Sequence, residues 1–255
     1  MTVQNRGIGV RPRSVEIVMA GFLLIHGGSH GAWCWKLLID ELAHRGHRGY
    51  ALDLPGHGSD PTPRASVTRQ SYVRGVLDFI QENDLHDIVL VGHSLAGIIL
   101  PDVHAAMGER IRGIVFLSAL VLSQGESALD LVPLSRRASY HEIAKQSSDN
   151  TIMFDRQRAR ALFFSDLSEE AAARYYRLLT PQPFSVYLEA ATRSPDFGGT
   201  NVRYILASQD KVLPVELCTS CAMKLGVEPE RMDSGHDSML SEPSKLASLL
   251  VRGPY

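Results

Sequence analysis

The sequence predicts an α/β fold, a mostly parallel central sheet flanked by helices, with a small helical insertion in its second half. Three observations carry that prediction. Apolar runs alternate with amphipathic segments through residues 17–119, the pattern of a sheet whose crossover helices cover both faces. The runs are apolar at nearly every position, as strands buried on both faces must be. Between about residue 120 and residue 196 the alternation stops, and it resumes with VRYILA at 202–207.

Residues 1–16 are polar and basic without periodicity, and read as a flexible N-terminal leader. The first strand, 17–25, stops at His26-Gly27-Gly28. A helix follows over 32–45, with Trp33, Leu37, Leu38 and Leu42 near one face, and Gly46 ends it. A short strand at 49–54 closes on Pro55-Gly56-His57-Gly58, a turn expected to shape the rim of a site. A helix at 71–83, a strand at 87–92 (DIVLVG), a helix at 95–107 starting directly after Ser94 and a strand at 111–117 complete the first half. Residues 120–196 read as a helical cap without a sheet strand. Its aromatics, Phe154, Phe163-Phe164, Tyr175-Tyr176, Phe184 and Tyr187, are expected to form its own core, a minority of them facing a pocket. After VRYILA come a helix at 215–225, a short strand at 227–232 and a last helix at 243–251. The core is thus assigned to 17–119 and 197–255.

The chain has 255 residues, 44% hydrophobic and 21% charged, which suits a globular protein and excludes a disordered or collagen-like one. A net charge of −2 leaves no electrostatic footprint for nucleic acid or an anionic membrane. Three cysteines make no disulfide framework and read as reduced thiols. The N-terminal arginines precede no long apolar run, so no secretory signal is expected. No stretch approaches the ~20 apolar residues that span a bilayer. The expectation is a soluble, cytoplasmic protein.

The chemistry centres on VGHSLAG, residues 91–97. A serine between the end of a buried strand and the start of a helix is the setting of a nucleophile elbow. Small residues must stand two before and two after it; here they are Gly92 and Ala96, so alanine replaces the usual second glycine, with Gly97 next. The helix N-terminus favours a developing oxyanion beside Ser94.

A serine hydroxyl needs a base, and in such elbows the acid and then the histidine follow the serine along the chain. Of ten histidines only His236 lies beyond residue 201, in the loop DSGHD between the last strand and the last helix. Asp210 follows VRYILA in SQDK and is the expected acid. Asp233 and Asp237 lie too close to His236 in sequence, and Glu216 lies inside a helix. The ordinary role of an aspartate at such a place is helix capping, from which Pro214, by starting the helix later, would release Asp210. The oxyanion hole needs two backbone N–H donors. Leu95 supplies one, and the loop His26-Gly27-Gly28-Ser29-His30-Gly31 the other, with Gly28 the best placed. Neither phosphate-binding glycine motif is present in that loop.

Cys218-Thr219-Ser220-Cys221 has CxxC spacing, but no second Cys or His pair lies near it, so ordinary thiols are expected. His26 and His30 flank a glycine loop and share no helix face, so structural hydrogen bonding is expected of them, not metal ligation.

In their order and spacing, HGGSHGAWCW, DLPGHGSD, VGHSLAG, SQDK and SGHDSMLSEP resemble the α/β-hydrolases over about residues 20–250. More narrowly they resemble the branch of plant methylesterases, hydroxynitrile lyases and bacterial esterase relatives, and LLTPQPF looks like that branch's cap. The resemblance implies an α/β-hydrolase fold with the cap after the sixth strand. It implies Ser94, Asp210 and His236 as catalytic triad, Gly28 and Leu95 as oxyanion donors, and no cofactor or metal. Lyases of the branch carry threonine where this chain has Gly27 and lysine where it has Asp237, so cyanohydrin cleavage is disfavoured. The expected reaction is hydrolysis of a small carboxylic ester through an acyl-enzyme. Two alternatives stay open: the same triad acting on a thioester, lactone or C–C bond of a specialised metabolite, and a non-catalytic small-molecule receptor. The expected partner is a small-molecule ester or related acyl compound, with no nucleic acid and no membrane. A homodimer stays open.

Overall fold

A computed structural model describes residues 20–255; the expected leader and the first residues of the first predicted strand lie outside the described residues. The chain runs β1 (Gly21–Ile25), α1 (Lys36–His44), β2 (Arg48–Ala51), α2 (Arg69–Glu82), β3 (Ile88–His93), α3 (Leu100–Met107) and β4 (Ile111–Leu117). It then enters the insertion: α4 (Ala128–Leu131), α5 (Leu134–Gln146), β5 (Thr151–Ile152), α6 (Arg156–Leu162), α7 (Glu169–Tyr176), β6 (Gln182–Pro183) and α8 (Ser185–Leu188). It ends with β7 (Asn201–Ala207), α9 (Val215–Lys224), β8 (Glu230–Met232), α10 (Ser238–Ser241) and α11 (Pro243–Val251).

Six strands form one sheet in the order β2-β1-β3-β4-β7-β8, every neighbouring pair parallel. Successive side chains of a strand point to opposite faces, and here both faces are buried. Leu23 and Ile25 of β1, Leu90 of β3, and Ile114 and Phe116 of β4 join one apolar cluster with α2, α3 and α9. Phe22 and Leu24, Val89 and Val91, and Val115 and Leu117 join the other, with α1 and α11. This is why the sequence shows continuous apolar runs with no polar alternation.

Counted along the described residues, the insertion follows the fourth strand, not the sixth. It also holds a feature the periodicity missed. β5 and β6 pair antiparallel, but each is two residues long, too short for any pattern to register. The segment predicted as one helix over 32–45 starts as a 3-10 turn, Ala32–Trp35, and its Leu37 is exposed while Leu38 and Leu42 are buried. The helix after the serine likewise begins as a 3-10 turn, Ser94–Ile99, and becomes α-helical only at Leu100, where Pro101 fits the first turn.

Candidate active site

Ser94 sits where β3 ends, with φ of 53°. A left-handed backbone on a residue other than glycine costs about 1–2 kcal/mol, and the surroundings hold it there. The Ser94 carbonyl accepts from the Leu120 N–H at 3.0 Å. A Cβ on Gly92 would meet the Leu100 side chain at 2.8 Å, so glycine here lets the Leu100 side chain of α3 pack directly on β3. Ala96 is buried and tolerated. The tight contact falls one residue later, at Gly97, where a Cβ would collide with the Leu120 carbonyl.

His236 lies in the loop between β8 and α10, and its Nε2 is 3.0 Å from Ser94 Oγ. Its Nδ1 lies 2.7 Å from Asp210 Oδ2. Asp210 meets His236 with one oxygen and holds a turn with the other, without capping α9, whose N-cap is Pro214. Oδ2 faces the histidine, while Oδ1 accepts the N–H groups of Val212 (2.7 Å) and Leu213 (2.9 Å) in the turn ahead of α9. Burial alone would lower the His236 pKa, but the charge and hydrogen bond of Asp210 outweigh it, and the net shift is upward. The sequence did not single out Asp166, in the turn between α6 and α7. Its Oδ2 accepts the Gly235 N–H at 2.6 Å and so ties the histidine loop to the cap.

Gly28 borders Ser94 across the cavity; a Cβ added there would lie 3.4 Å from the Leu95 side chain. Its loop is held from three sides. Leu54 N–H donates to His26 Nε2 at 3.0 Å, so the proton is on Nδ1, which donates to the Gly27 carbonyl at 2.8 Å. Burial lowers the His26 pKa to about 4, keeping the ring neutral. In a trans peptide the N–H points opposite to the carbonyl, so fixing the Gly27 oxygen fixes the direction of the Gly28 N–H.

His30 takes the second side. Its Nδ1 donates to the Gly28 carbonyl at 2.8 Å, and its Nε2 lies 2.9 Å from Asp237 Oδ2, with both side chains essentially inaccessible. Asp237 therefore faces the interior behind the glycine loop, not the cavity. The histidines have the structural hydrogen bonds expected of them.

The cap supplies the third side. Ser29, with φ of 66°, donates its N–H to Gln182 Oε1 (3.2 Å), and its carbonyl accepts the Thr180 N–H (2.8 Å). Gln182 Nε2 donates to Tyr72 OH (3.0 Å), Tyr72 OH is 2.6 Å from His57 Nε2, and His57 Nδ1 is 2.8 Å from Thr180 Oγ1. One donor order satisfies the ring: Tyr72 donates to His57 and His57 to Thr180. Burial pushes His57 well down, which keeps it neutral and able to act both ways. Thr180 and Gln182 belong to LLTPQPF, so the sequence marked the segment but not this task.

His93, His236 and Asp237 bring ligand-type atoms within 4.8 Å of one another. His93 Nε2 already donates to the His236 carbonyl at 3.1 Å, and both His236 nitrogens are engaged in the contacts above, so the grouping is not arranged around an ion. Cys218 and Cys221 are buried in α9, and burial raises both thiols, Cys218 to about 12, which suits neither redox nor zinc chemistry. Among the cap aromatics Phe154, Phe163 and Tyr187 reach the cavity, while Phe164 is fully buried in the cap. No helix among the described residues is long and apolar enough to cross a membrane.

The chain has relatives among known proteins. A putative chloroplastic methylesterase of Arabidopsis thaliana (methylesterase 15) is 26% identical over 246 residues, covering 90% of this chain and 55% of that protein. A carbendazim hydrolyzing esterase of Nocardioides sp. (strain SG-4G) is 35% identical over 116 residues, 45% of this chain and 48% of that protein. The chain thus spans about half the length of these two relatives. Among solved structures it is similar to an extracellular alpha/beta-hydrolase from a Paenibacillus species, described as sharing structural and functional homology with tobacco Salicylic Acid Binding Protein 2. The TM-score is 0.84 at 28% identity, over 91% of this chain and 98% of that one. A methylesterase from Arabidopsis matches with TM-score 0.77 at 22% identity, over 92% and 98% of the two chains, a likeness of fold. The sequence profile of the Alpha/beta hydrolase family matches residues 22–249, and on that match this chain belongs to the alpha/beta hydrolase family.

Proposed function

We propose that this chain hydrolyses a small carboxylic ester through an acyl-enzyme on Ser94. The observation that carries the reading is the unbroken path from Asp210 through His236 to Ser94, at 2.7 and 3.0 Å, on a serine with φ of 53°. His236 takes the Ser94 proton as the oxygen attacks the ester carbonyl, and Asp210 stabilises the imidazolium that forms. The N–H groups of Leu95 and Gly28 receive the oxyanion. His236 then gives the proton to the departing alcohol. Water repeats the sequence on the acyl-enzyme and returns the free serine.

The names of the relatives, methylesterases and esterases, support ester chemistry. Cyanohydrin cleavage is disfavoured on two counts. A Cβ at Gly27 would stand 2.7 Å from Ser94 Cβ, leaving no room for the threonine of the lyases. Position 237 presents no ammonium to the cavity, its carboxylate being paired with His30.

The test is turnover of p-nitrophenyl acetate by the wild type and Ser94→Ala. Loss of at least about 10⁴-fold in kcat is expected for a triad nucleophile; equal rates would end the reading.

A further inference from the structure

The space around Ser94 consists of two narrow cavities that meet at the serine, and their chemistry differs. One, beside Leu95, is lined by Leu131, Pro133, Arg136 and Leu213; the other, beside Gly28, by Ile152, Phe154, Phe163 and Gln182. Tyr140, Tyr187 and Val212 border both. In ester hydrolysis the departing oxygen must lie against His236 Nε2, which protonates it. The His236 ring packs against Phe163, centroids 6.0 Å apart, and Phe163 lines only the cavity beside Gly28. The alcohol therefore leaves through the aromatic cavity, and the acyl chain occupies the one beside Leu95.

The polar side chains bordering that acyl cavity can all donate. The Arg136 guanidinium pairs with no carboxylate among the described residues, and its one hydrogen bond is a long one, 3.5 Å to the Val212 carbonyl. Its neighbour Arg137 is engaged by contrast: it donates to the carbonyls of Val132 (2.8 Å) and Asp130 (2.6 Å) and lies 3.8 Å from the Asp130 carboxylate. The hydroxyls of Tyr140 and Tyr187 have no protein partner among the described residues, and burial keeps both phenols protonated. A second guanidinium, that of Arg158, stands 5.9 Å from the Tyr140 ring centre. No Asp or Glu lines either cavity. A partly buried cation without a counter-ion, in an otherwise apolar pocket, is an unmet charge that a bound anion would satisfy.

We propose that the acyl group carries a carboxylate at its far end, received by the Arg136 guanidinium and the Tyr140 phenol, so that the substrates are monoesters of short dicarboxylic acids. This rests on the ester-hydrolysis reading and deepens it. A guanidinium offers a carboxylate two parallel N–H donors, and Leu131 and Leu213 line the cavity that leads to them.

The experiment compares monomethyl succinate with methyl butyrate, an ester of the same acyl length without the charge, following acid release in a pH-stat. Wild type is expected to favour the succinate ester at least tenfold in kcat/KM, about 1.4 kcal/mol. Arg136→Gln abolishes the preference by raising KM for the anionic ester, and Arg136→Lys, which keeps the charge but loses the planar fork, restores part of it. A wild type that favours methyl butyrate, an Arg136→Gln variant with the preference intact, or turnover of neither methyl ester would each overturn the inference. Ser94-dependent cleavage of p-nitrophenyl acetate separates these outcomes from failure of the esterase reading: if it persists, only the dicarboxylate inference falls.

Discussion

The two halves of the site are built differently. The proposed nucleophile half, Ser94 with Asp210 and His236, follows the ends of β3, β7 and β8, strands at the centre and one side of the parallel sheet. Each of its members contacts the next directly. The proposed oxyanion half, Gly27 to His30, is an irregular loop held by its own His26 and His30 and by Thr180 and Gln182 of the cap, and these are held in turn by groups from elsewhere: His57 and Tyr72 behind the cap residues, and Asp237, from the loop that also carries His236, behind His30. His236 and Asp237, adjacent in sequence, turn to opposite halves. On the proposed reaction, side chains of the first half contact the reacting atoms, whereas in the second only backbone N–H does and the side chains around it act through positioning, so the two sets of side chains should respond to mutation on different scales.

The largest effect short of losing the serine is expected at Asp210. Asp210→Asn keeps the shape but takes away the charge that orients and stabilises His236, and in triads of this kind the loss is about 10⁴-fold in kcat. The pH profile gives a second reading. His236 acts as a base only when neutral, so kcat/KM of the wild type falls as pH drops through the His236 pKa, which is raised above the ordinary 6.5. In Asp210→Asn the principal raising influence is gone and burial remains, so the acid limb moves to lower pH as the plateau falls. A limb that stays in place would show that Asp210 does not set the base.

This division also marks what the sequence could disclose. The strands ahead of Ser94 and Asp210 hold apolar runs, and a side chain at the end of such a run has its place fixed by the sheet, whereas β8 ahead of His236 is only three residues long and His236 was legible from chain order. Asp210 needed only its position after VRYILA, although its second task, taking the Val212 and Leu213 N–H groups, was invisible. The oxyanion loop was legible as glycines, but its supports were not. Gln182 reaches Ser29 across 153 residues of sequence and Asp237 reaches His30 across 207. No local period encodes such pairs. That Asp237 turns away from the cavity was equally illegible, because sequence gives a residue's neighbours along the chain and not the side to which it turns. β5 and β6 were missed for a related reason: two-residue strands are formed by the pairing and not by their own propensity.

At Asp237 the expected effect is smaller and of another kind. Deleting an oxyanion donor outright costs about 10²–10³ in kcat, so a group that acts through His30 on the Gly28 carbonyl, in the peptide after the donor's, should cost less, about tenfold for Asp237→Asn. The loss should fall on kcat with KM little changed, because ground-state contacts to the ester are untouched. Asp237 also contributes to the raised pKa of His236, less than Asp210 does, so the acid limb should move down by less than in Asp210→Asn. A rise in KM at constant kcat would assign Asp237 to substrate binding and break the comparison.

The smallest catalytic effect is expected at Gln182, where the cap meets the loop. Gln182→Leu strips the acceptor from the Ser29 N–H and the donor from Tyr72 OH, in a region with little access for replacement water. A buried polar group left unpaired costs about 1–3 kcal/mol, which in a chain of this length lowers Tm by about 2–4 °C for each kcal/mol. Ser29 keeps its Thr180 bond and Gly28 keeps its His30 bond, so kcat should fall only several-fold. Stability and catalysis are thereby ordered in opposite directions at the two ends of the site. Gln182→Leu should be the more damaging to Tm and Asp210→Asn the more damaging to kcat, and paired thermal melts and kinetics on the two variants read this directly. If Gln182→Leu instead lost activity on the scale of Asp210→Asn while folded, the cap would belong to the catalytic machinery itself, and the division between contact and positioning would have to be redrawn at β6.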